Sequence, residues 1–400
     1  MKSSTNVKSK IAAAVLMVHS TCFYSCAQTT GENGANAQPP VSQAQTTPDG
    51  KKKKIKIALL LDTSNSMDGL INQAKSQLWK LVNQLAIAKC DNEKPNLEIA
   101  LYEYGNAGLE SSKGYIRQVS AFTGDLDLIS EKLFSLTTNG GDEYCGQVIY
   151  TSLNELNWKG DDGDLRLIFI AGNEPFTQGN VSYKTACANA KEKDVVINTI
   201  FCGDFNEGVN TGWRNGALLT GGEYMSIEQD RQTVYIESPY DKEISDLNNK
   251  LNDTYVSYGY NGKVKKENQI VQDKNAESYG SANKAERIKS KTSVFYSNKS
   301  WDLVDASKEK DFTVTTIKED ELPEELKGKS AEEKQKYIAQ KSQERENIKT
   351  QIVQLNKKRT EYIVEKEKTM QVDDKSLDAV MVKSIKGQAA KKKFVFENGN

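Results

Sequence analysis

Apolar runs alternate with amphipathic stretches between residues 55 and 235 of the chain. Residues 55–61 and 165–172 are almost wholly apolar, which is typical of strands buried on both faces of a parallel sheet. Further runs of β-forming residues predict additional strands, at 96–105, 114–122, 195–203 and 223–227. Together these runs predict a central sheet.

The stretches between the predicted strands have helical periodicity. Residues 69–88 place apolar side chains three and four positions apart, as an amphipathic helix does. Shorter helices are predicted in later connections, at 125–136, 145–156, 183–193 and 213–219. Strands that alternate with helices predict an α/β fold, in which a doubly wound, mostly parallel sheet is flanked by helices.

The region after residue 235 predicts helices with less apolar character. Ile244, Leu247 and Leu251 form one stripe, so their helix is expected to pack on the sheet domain. Residues 261–291 are so polar that a solvated helix and a partly disordered stretch both agree with them. The aromatic side chains of 294–306 are expected to anchor that segment to a core.

A long charged helix is predicted from Ser330 to about Lys368, because Ser330 and Glu333 form a capping box. Its apolar positions resemble a coiled-coil seam interrupted by Arg359, and they are Ile348, Ile352, Leu355 and Tyr362. Such a seam can dimerise, fold back on an earlier helix or bind a partner, and a single solvated helix is a fourth alternative. Residues 391–396, three lysines followed by Phe-Val-Phe, predict a short docking strand.

The first 25 residues have the layout of a secretory signal peptide. Three lysines precede an apolar run at 11–18, which is too short to span a bilayer permanently. Residues 23–26 resemble a bacterial lipobox, so Cys26 is the predicted site of lipid attachment. The lipoprotein is expected in the bacterial cell envelope, at the outer membrane and facing the periplasm. A plain secreted protein is the alternative.

Residues 26–54 are rich in Gln, Thr, Gly, Pro and Asn and have no apolar period, so they predict a flexible tether. We interpret the four lysines at 51–54 as solvated linker rather than as a contact with anionic headgroups. The predicted organisation is therefore a leader (1–25), a tether (26–54), an α/β domain (55–235), a connecting region (236–306) and a charged helical tail (307–400).

Composition narrows the possible functions. Charged residues make up 27 % of the chain, hydrophobic residues 37 %, and the mean hydropathy is −0.65, which suits a folded part joined to polar extended parts. A formal net charge of −1 gives no reason to expect nucleic acid as a partner. The single histidine, His19, lies in the predicted leader, which removes imidazole from catalysis and from metal binding. The sequence therefore predicts a protein that is not an enzyme.

The cysteines of the predicted exported chain favour a disulfide, because four of them lie beyond Cys26. One bridge is expected among Cys145, Cys187 and Cys202, with Cys187 bound to either of the other two. A nucleophilic Cys145 is disfavoured because no histidine is available as its base.

The first predicted strand runs directly into the sequence Asp62-Thr63-Ser64-Asn65-Ser66. Ligands of parallel α/β sheets bind beyond the carboxyl ends of the strands, which is where this turn is expected. One carboxylate and two hydroxyls at alternate positions can present three oxygens to Mg²⁺, a cation that retains water and leaves a position open. An Asx-type turn that only caps the next helix is the alternative.

At these residues the sequence resembles the von Willebrand factor type A (VWA) domain, whose metal-ion-dependent adhesion site begins with Asp-x-Ser-x-Ser. The resemblance covers residues 55–235. It implies a VWA-like, Rossmann-like fold and a divalent cation, Mg²⁺ or another, bound by Asp62, Ser64 and Ser66.

Two further loops complete the site in that family, and both differ in this chain. In "NGGDEYCGQVI", Asp142 or Glu143 is expected to supply an oxygen ligand. In "AGNEPF", Asn173 stands where the family has an aspartate, and Glu174 follows it. The resemblance leaves two outcomes open, a cation site of reduced affinity and a metal-free recognition surface.

The layout resembles bacterial lipoproteins that carry a VWA domain. It implies a non-enzymatic, adhesion-type module that binds another envelope protein through the divalent-cation site and reaches the membrane through its lipid anchor. The helical tail would then be available for self-association. The alternative is a metal-free structural or oligomerising scaffold of the cell envelope.

Overall fold

A computed structural model describes residues 52–228, 230, 235–368 and 376–396 of the chain. They belong to one compact unit, Lys51–Asn400. The predicted leader, Cys26 and nearly all of the tether lie outside the described residues. Within the described ranges, no helix is long and apolar enough to span a membrane.

A six-stranded sheet forms the centre of the unit. The strands of the described residues are, in chain order, β1 (Lys54–Asp62), β2 (Ala88–Cys90), β3 (Asn96–Tyr104), β4 (Ile116–Thr123), β5 (Leu165–Gly172), β6 (Val196–Cys202), β7 (Tyr224–Ile227) and β8 (Phe394–Phe396). Of these, β2 and β8 form a separate two-stranded sheet, and the other six form the central sheet. The sheet order is β4-β3-β1-β5-β6-β7, and all neighbours are parallel except β4, which runs antiparallel to β3. Ile57 of β1 lies between Ile99 and Leu167, so the apolar strands occupy the middle of the sheet.

Helices cover both faces of the sheet. They are α1 (Asp68–Leu85), α2 (Leu126–Phe134), α3 (Cys145–Glu155), α4 (Tyr183–Glu192), α5 (Phe205–Asn210), α6 (Trp213–Leu219), α7 (Asp241–Asp253), α8 (Gly262–Glu277), α9 (Ser281–Lys291), α10 (Leu303–Ala306), α11 (Ala331–Glu367) and α12 (Leu377–Lys391). Leu59 and Leu61 pack in the core with α1, α2 and α12, whereas Ala58 and Leu60 pack in the core with α3, α4 and α6. The predicted doubly wound α/β fold is confirmed.

Helix α12, the last helix within the described ranges, completes one face of the sheet. Its apolar side chains, among them Met381 and Ile385, are buried in the core that contains α1. After it, β8 pairs antiparallel with β2, with Val395 opposite Lys89, so the predicted docking strand is confirmed. Helices α7 to α11 are therefore inserted between β7 and α12 and belong to the same compact unit.

The polar stretch 261–291 is helical and partly buried, and is therefore neither a fully solvated helix nor a disordered stretch. It forms α8 and α9, and several of its polar side chains, including Gln269 and Asp273, are almost fully buried. Lys291 is completely buried, and its Nζ lies 3.1 Å from Asp273 Oδ2 and 2.7 Å from Asn248 Oδ1. Hydrophobic periodicity did not predict this burial because ion pairs and hydrogen bonds stabilise it.

Arg287 connects the inserted helices to the α/β domain. Its guanidinium has no exposed surface and lies 2.6 Å from Asp127 of α2 and 3.1 Å from Asp273 of α8. It also stacks 4.3 Å from the centroid of the Trp79 ring of α1. Although burial opposes ionisation, Lys291 and Arg287 hold the pKa of Asp273 below its ordinary value.

The long helix predicted from the capping box is confirmed, with Ser330 and Glu333 bonded as expected. Its seam is occupied within the chain: Ile348, Ile352 and Leu355 are buried in the main core, and α11 packs against α7 and α9. The helix α11 therefore folds back on earlier helices, which was one of the predicted alternatives. It does not form a coiled coil with a second long helix, because the helices that it contacts are short.

The expected disulfide is wrong. The cysteines of the described residues are free thiols, all buried: Cys90, Cys145, Cys187 and Cys202. Cys202 lies in the core on one face of the sheet, while Cys145 and Cys187 lie in the core on the other. Cys187 packs against Gly216 of α6, and Cys145 lies 3.7 Å from the Tyr104 hydroxyl. Burial raises the pKa of each of these thiols, which also disfavours a nucleophilic Cys145.

Replacing Arg287 by alanine is expected to lower the free energy of unfolding by about 3–5 kcal/mol, because Asp127 and Asp273 would remain buried without their shared cation. Urea unfolding of the full chain measures this change. K299A is the matched control, since it removes an exposed ion pair with Glu309 and should cost less than about 1 kcal/mol. Equal losses in the two variants would show that the buried pairs do not hold the inserted helices in place.

Candidate functional site

Asp62, the last residue of β1, lies at the carboxyl edge of the sheet and is fully buried. Its Oδ1 accepts a hydrogen bond of 2.8 Å from the Ser64 amide, whereas its Oδ2 has no hydrogen-bond partner among the described residues. Burial raises the pKa of this carboxyl to about 7; the Ser64 hydrogen bond opposes the rise, and the neighbouring Glu143 adds to it. A buried carboxylate oxygen without a partner is a place where a cation would be strongly stabilised.

The turn after β1 brings the two serine hydroxyls together. Ser64 Oγ and Ser66 Oγ lie 3.3 Å apart, and Asn173 Nδ2 donates to Ser66 Oγ over 3.2 Å. Thr63 fixes the turn, because its amide donates to the Tyr104 carbonyl at 2.8 Å and its side-chain oxygen lies 3.2 Å from the same atom. Sequence reasoning assigned no role to Thr63.

The second loop places Glu143, and not Asp142, in the site. Glu143 is buried beside Asp62, and its amide donates to Gln178 Oε1 over 2.9 Å. Burial, followed by the charge of Glu174, raises the pKa of Glu143 to about 7. Asp142 is exposed and instead accepts a hydrogen bond of 3.0 Å from the Tyr144 hydroxyl. Of these two acids, Glu143 is the one that the path of the loop brings beside Asp62.

An aromatic cluster holds the third loop, which carries Asn173. Trp213 is fully buried, and its Nε1 donates to the Glu174 carbonyl over 2.8 Å. The rings of Phe176 and Phe201 pack on that indole, with centroid distances of 4.8 and 5.8 Å. Asn173 therefore sits on a rigid support, with its amide directed at Ser66.

Two glycines make room for the Asp62 carboxylate. A Cβ at Gly105, where φ is +81°, would lie 2.8 Å from Asp62 Oδ1 and 2.8 Å from Glu143 Cγ. A Cβ at Gly172 would lie 3.0 Å from Asp62 Oδ2. Sequence reasoning missed both as site residues, although each stands where a strand of the sheet ends.

The donor set at this edge fits a hard divalent cation. Within the described ranges, no group of three or more His, Cys, Asp or Glu side chains is arranged to hold a metal ion. The oxygens here come instead from two carboxylates, two hydroxyls and one amide, from Asp62, Glu143, Ser64, Ser66 and Asn173. Such ligands suit Mg²⁺ and similar ions, which complete their shells with water.

Comparisons with protein-family models and with curated proteins gave no match. Solved structures similar to this chain include the SpRpn10 VWA domain. The two are 15 % identical, the alignment covers 44 % of this chain and 89 % of that one, and the TM-score is 0.34. The conserved hypothetical protein BatB from Bacteroides thetaiotaomicron aligns at 16 % identity, over 43 % of this chain and 90 % of that one, with a TM-score of 0.32. Proximal thread matrix protein 1 from the mussel byssus, with a zinc-occupied MIDAS motif, aligns at 12 % identity. The alignment covers 45 % of this chain and 43 % of that one, with a TM-score of 0.33.

The sheet order and the position of the Asp-x-Ser-x-Ser turn decide the fold. β1 lies between β3 and β5, the strand β4 at one edge is antiparallel, and Asp62, Ser64 and Ser66 follow β1 directly. The α/β domain has a VWA-like fold. In this VWA-like domain, the three predicted loops meet at one edge of the sheet.

Replacing Gly105 by alanine tests how tightly the Asp62 carboxylate is enclosed. G221A is the matched control, because Gly221 also has a positive φ, of +75°, but a Cβ there meets nothing within 4 Å. Both variants should lose about 1–2 kcal/mol through backbone strain, and G105A should lose about 1–3 kcal/mol more through overpacking. Urea unfolding measures both, and equal losses would contradict the close approach at Gly105.

Proposed function

We propose that the VWA-like domain binds a divalent cation through Asp62, Ser64, Ser66 and Glu143, with Asn173 as a neutral neighbour. The observation that carries this proposal is the buried Asp62 Oδ2, which has no hydrogen-bond partner among the described residues and lies beside a second buried carboxylate. A divalent cation would relieve the repulsion between these groups and ligate the free oxygen. Asn173 lowers the negative charge of the site, so a modest affinity is expected.

The ion would remain accessible from one side. Asp62 and Ser64 are buried beneath it, whereas Ser66 is exposed and Asn173 is half-buried at the rim. We propose that an oxygen ligand from another envelope protein completes the shell from that side. The chain then acts as a non-enzymatic binding module of a lipoprotein that is attached through Cys26 to the outer membrane and faces the periplasm.

Calorimetric titration of the protein with Mg²⁺ and Mn²⁺ tests the cation site. The wild type should bind one ion, D62N should not bind it, and E143Q should bind it at least tenfold more weakly. D142A is the matched control, because Asp142 is the adjacent acid but is turned to Tyr144, and its affinity should equal that of the wild type. An ion that binds should also raise the melting temperature of the folded protein. If the wild type shows neither heat of binding nor a shift in melting temperature at millimolar ion, the cation site is contradicted and the metal-free scaffold is the alternative.

Capture from envelope extract tests the partner. Immobilised wild-type protein and D142A should retain the same envelope protein, and chelator should release it from both. D62N should retain none, because the ion that bridges the two proteins would be absent. Retention that is insensitive both to chelator and to D62N would contradict recognition through the cation.

A further inference from the structure

Helix α8 has its polar and apolar faces in the reverse of the usual arrangement. Three of its polar side chains are almost fully buried, and they are Gln269, Gln272 and Asp273. On its opposite face Val264 is 64 % exposed, Ile270 39 % and Val271 47 %, and Tyr260, just before the helix, is 96 % exposed. A surface helix normally buries its apolar stripe. The outward apolar face of α8 therefore requires a physical explanation.

The buried polar side chains fix the rotation of α8 about its own axis. Gln272 Oε1 accepts a hydrogen bond of 2.8 Å from the Ser130 hydroxyl of α2. Asp273 lies 3.1 Å from both Arg287 and Lys291 of α9. Turning the helix to bury its apolar face would break these contacts and leave buried charges unpaired. The rest of the fold therefore holds the apolar face outward.

The exposed apolar side chains of α8 form a patch. Twelve large hydrophobic side chains of the described residues are exposed, and four of these lie within residues 260–271. At 100° per residue, the four side chains fall within about 120° of one helix face. Single exposed apolar side chains are ordinary on a protein surface, whereas a contiguous group indicates a surface that binds another molecule.

Two charges of opposite sign without partners lie on the same face. Glu267 and Lys274 are exposed, and neither has an ion-pair partner among the described residues. Lys263 is a third exposed charge, at the first turn of the helix. The other charged side chains of α8 are engaged within the chain: Lys265 with Asp125, Lys266 with the Tyr255 carbonyl, Asp273 with Arg287 and Glu277 with Lys284. The charges that remain for a partner are therefore few and of both signs.

This face is complementary to itself when two copies of α8 run antiparallel. A two-fold axis between Ile270 and Val271 places each of them opposite the other in the second copy. Glu267 and Lys274 are equally far from that axis, so each lies opposite its counterpart of the other sign, and the ion pair forms twice. Lys263 then faces the uncharged end of the helix, and no like charges meet. An aliphatic centre flanked by both signs of charge fits a second copy of this chain.

We propose that two copies of the chain associate through α8 about this axis, with Ile270 and Val271 packed at the centre and the Glu267–Lys274 pair formed twice. One helix per copy buries less than the about 800 Å² per partner of a standard interface, so the dimer is expected to be weak, with a micromolar dissociation constant. The surface differs from the α11 seam, which is buried within the chain. It also lies outside the cation site, so the inference does not depend on ion binding.

Sedimentation-velocity centrifugation over a concentration series tests the apolar centre. The chain from residue 27 onward is suitable, because it retains the whole compact unit Lys51–Asn400. The wild type should associate to a dimer, and V271E should raise the dissociation constant about tenfold or more, because two carboxylates would be buried at the centre. V364E is the matched control, because Val364 of α11 is also 47 % exposed but lies outside this face. It should associate as the wild type does.

Exchange of the two charges tests the antiparallel pairing. E267K and K274E should each weaken the dimer about tenfold, since like charges would then meet twice. The double variant E267K/K274E should restore the affinity of the wild type, because the pair re-forms with its signs exchanged. Damage to the helix alone would not be reversed in this way, and all variants should have the melting temperature of the wild type.

Four results would each overturn the proposal. The first is a wild type that remains monomeric over the whole concentration series. The second is a V271E variant that associates as the wild type does. The third is a loss of affinity in V364E equal to that in V271E, and the fourth is an E267K/K274E variant that associates no better than the single charge variants.

Discussion

A buried charge must be met by an opposite charge or by hydrogen bonds, and this constraint decides how the inserted helices are placed. Arg287, Arg345 and Arg359 are all buried, and each is paired with carboxylates that lie far away in the sequence. Arg359 lies 2.9 Å from Asp241, and Arg345 lies 2.6 Å from Asp302. Each ion pair forms only when the two helices that carry it are correctly placed. The ion pairs therefore select a single arrangement of these helices, whose surfaces carry few apolar residues.

The insertion is anchored to the sheet at its far end as well. In α12 the Asp378 amide donates to Gln77 of α1 over 2.7 Å, and Ser384 donates to Asn198 of β6 over 3.0 Å. α1 begins directly after the candidate site, so the helix that supports the site is held by α12. The loops of the site consequently rest on elements with many fixed neighbours, which favours preorganised ligands.

The candidate site combines residues that are neighbours in the sequence with residues that only the fold brings together. Asp62, Ser64 and Ser66 were predicted because their spacing is local and the strand before them is apolar. The choice between Asp142 and Glu143 could not be made locally, because it depends on how the second loop passes Gly105 and bonds to Gln178. The support from Trp213 was also beyond prediction, since it comes from a helix 39 residues further along the chain.

By itself the sequence determined the six strands of the central sheet, most helices, the capping box of α11 and the oxygen-bearing turn, because periodicity and motif spacing are properties of neighbouring residues. Only the tertiary structure decided that many polar side chains of the segment 261–291 are buried, that Arg359 completes the α11 seam, and that Cys202 lies on the opposite face of the sheet from Cys145 and Cys187. These outcomes depend on contacts between residues far apart in the chain. From the sequence alone a charged side chain is expected to be solvated, because the oppositely charged partner that permits its burial is distant in the chain.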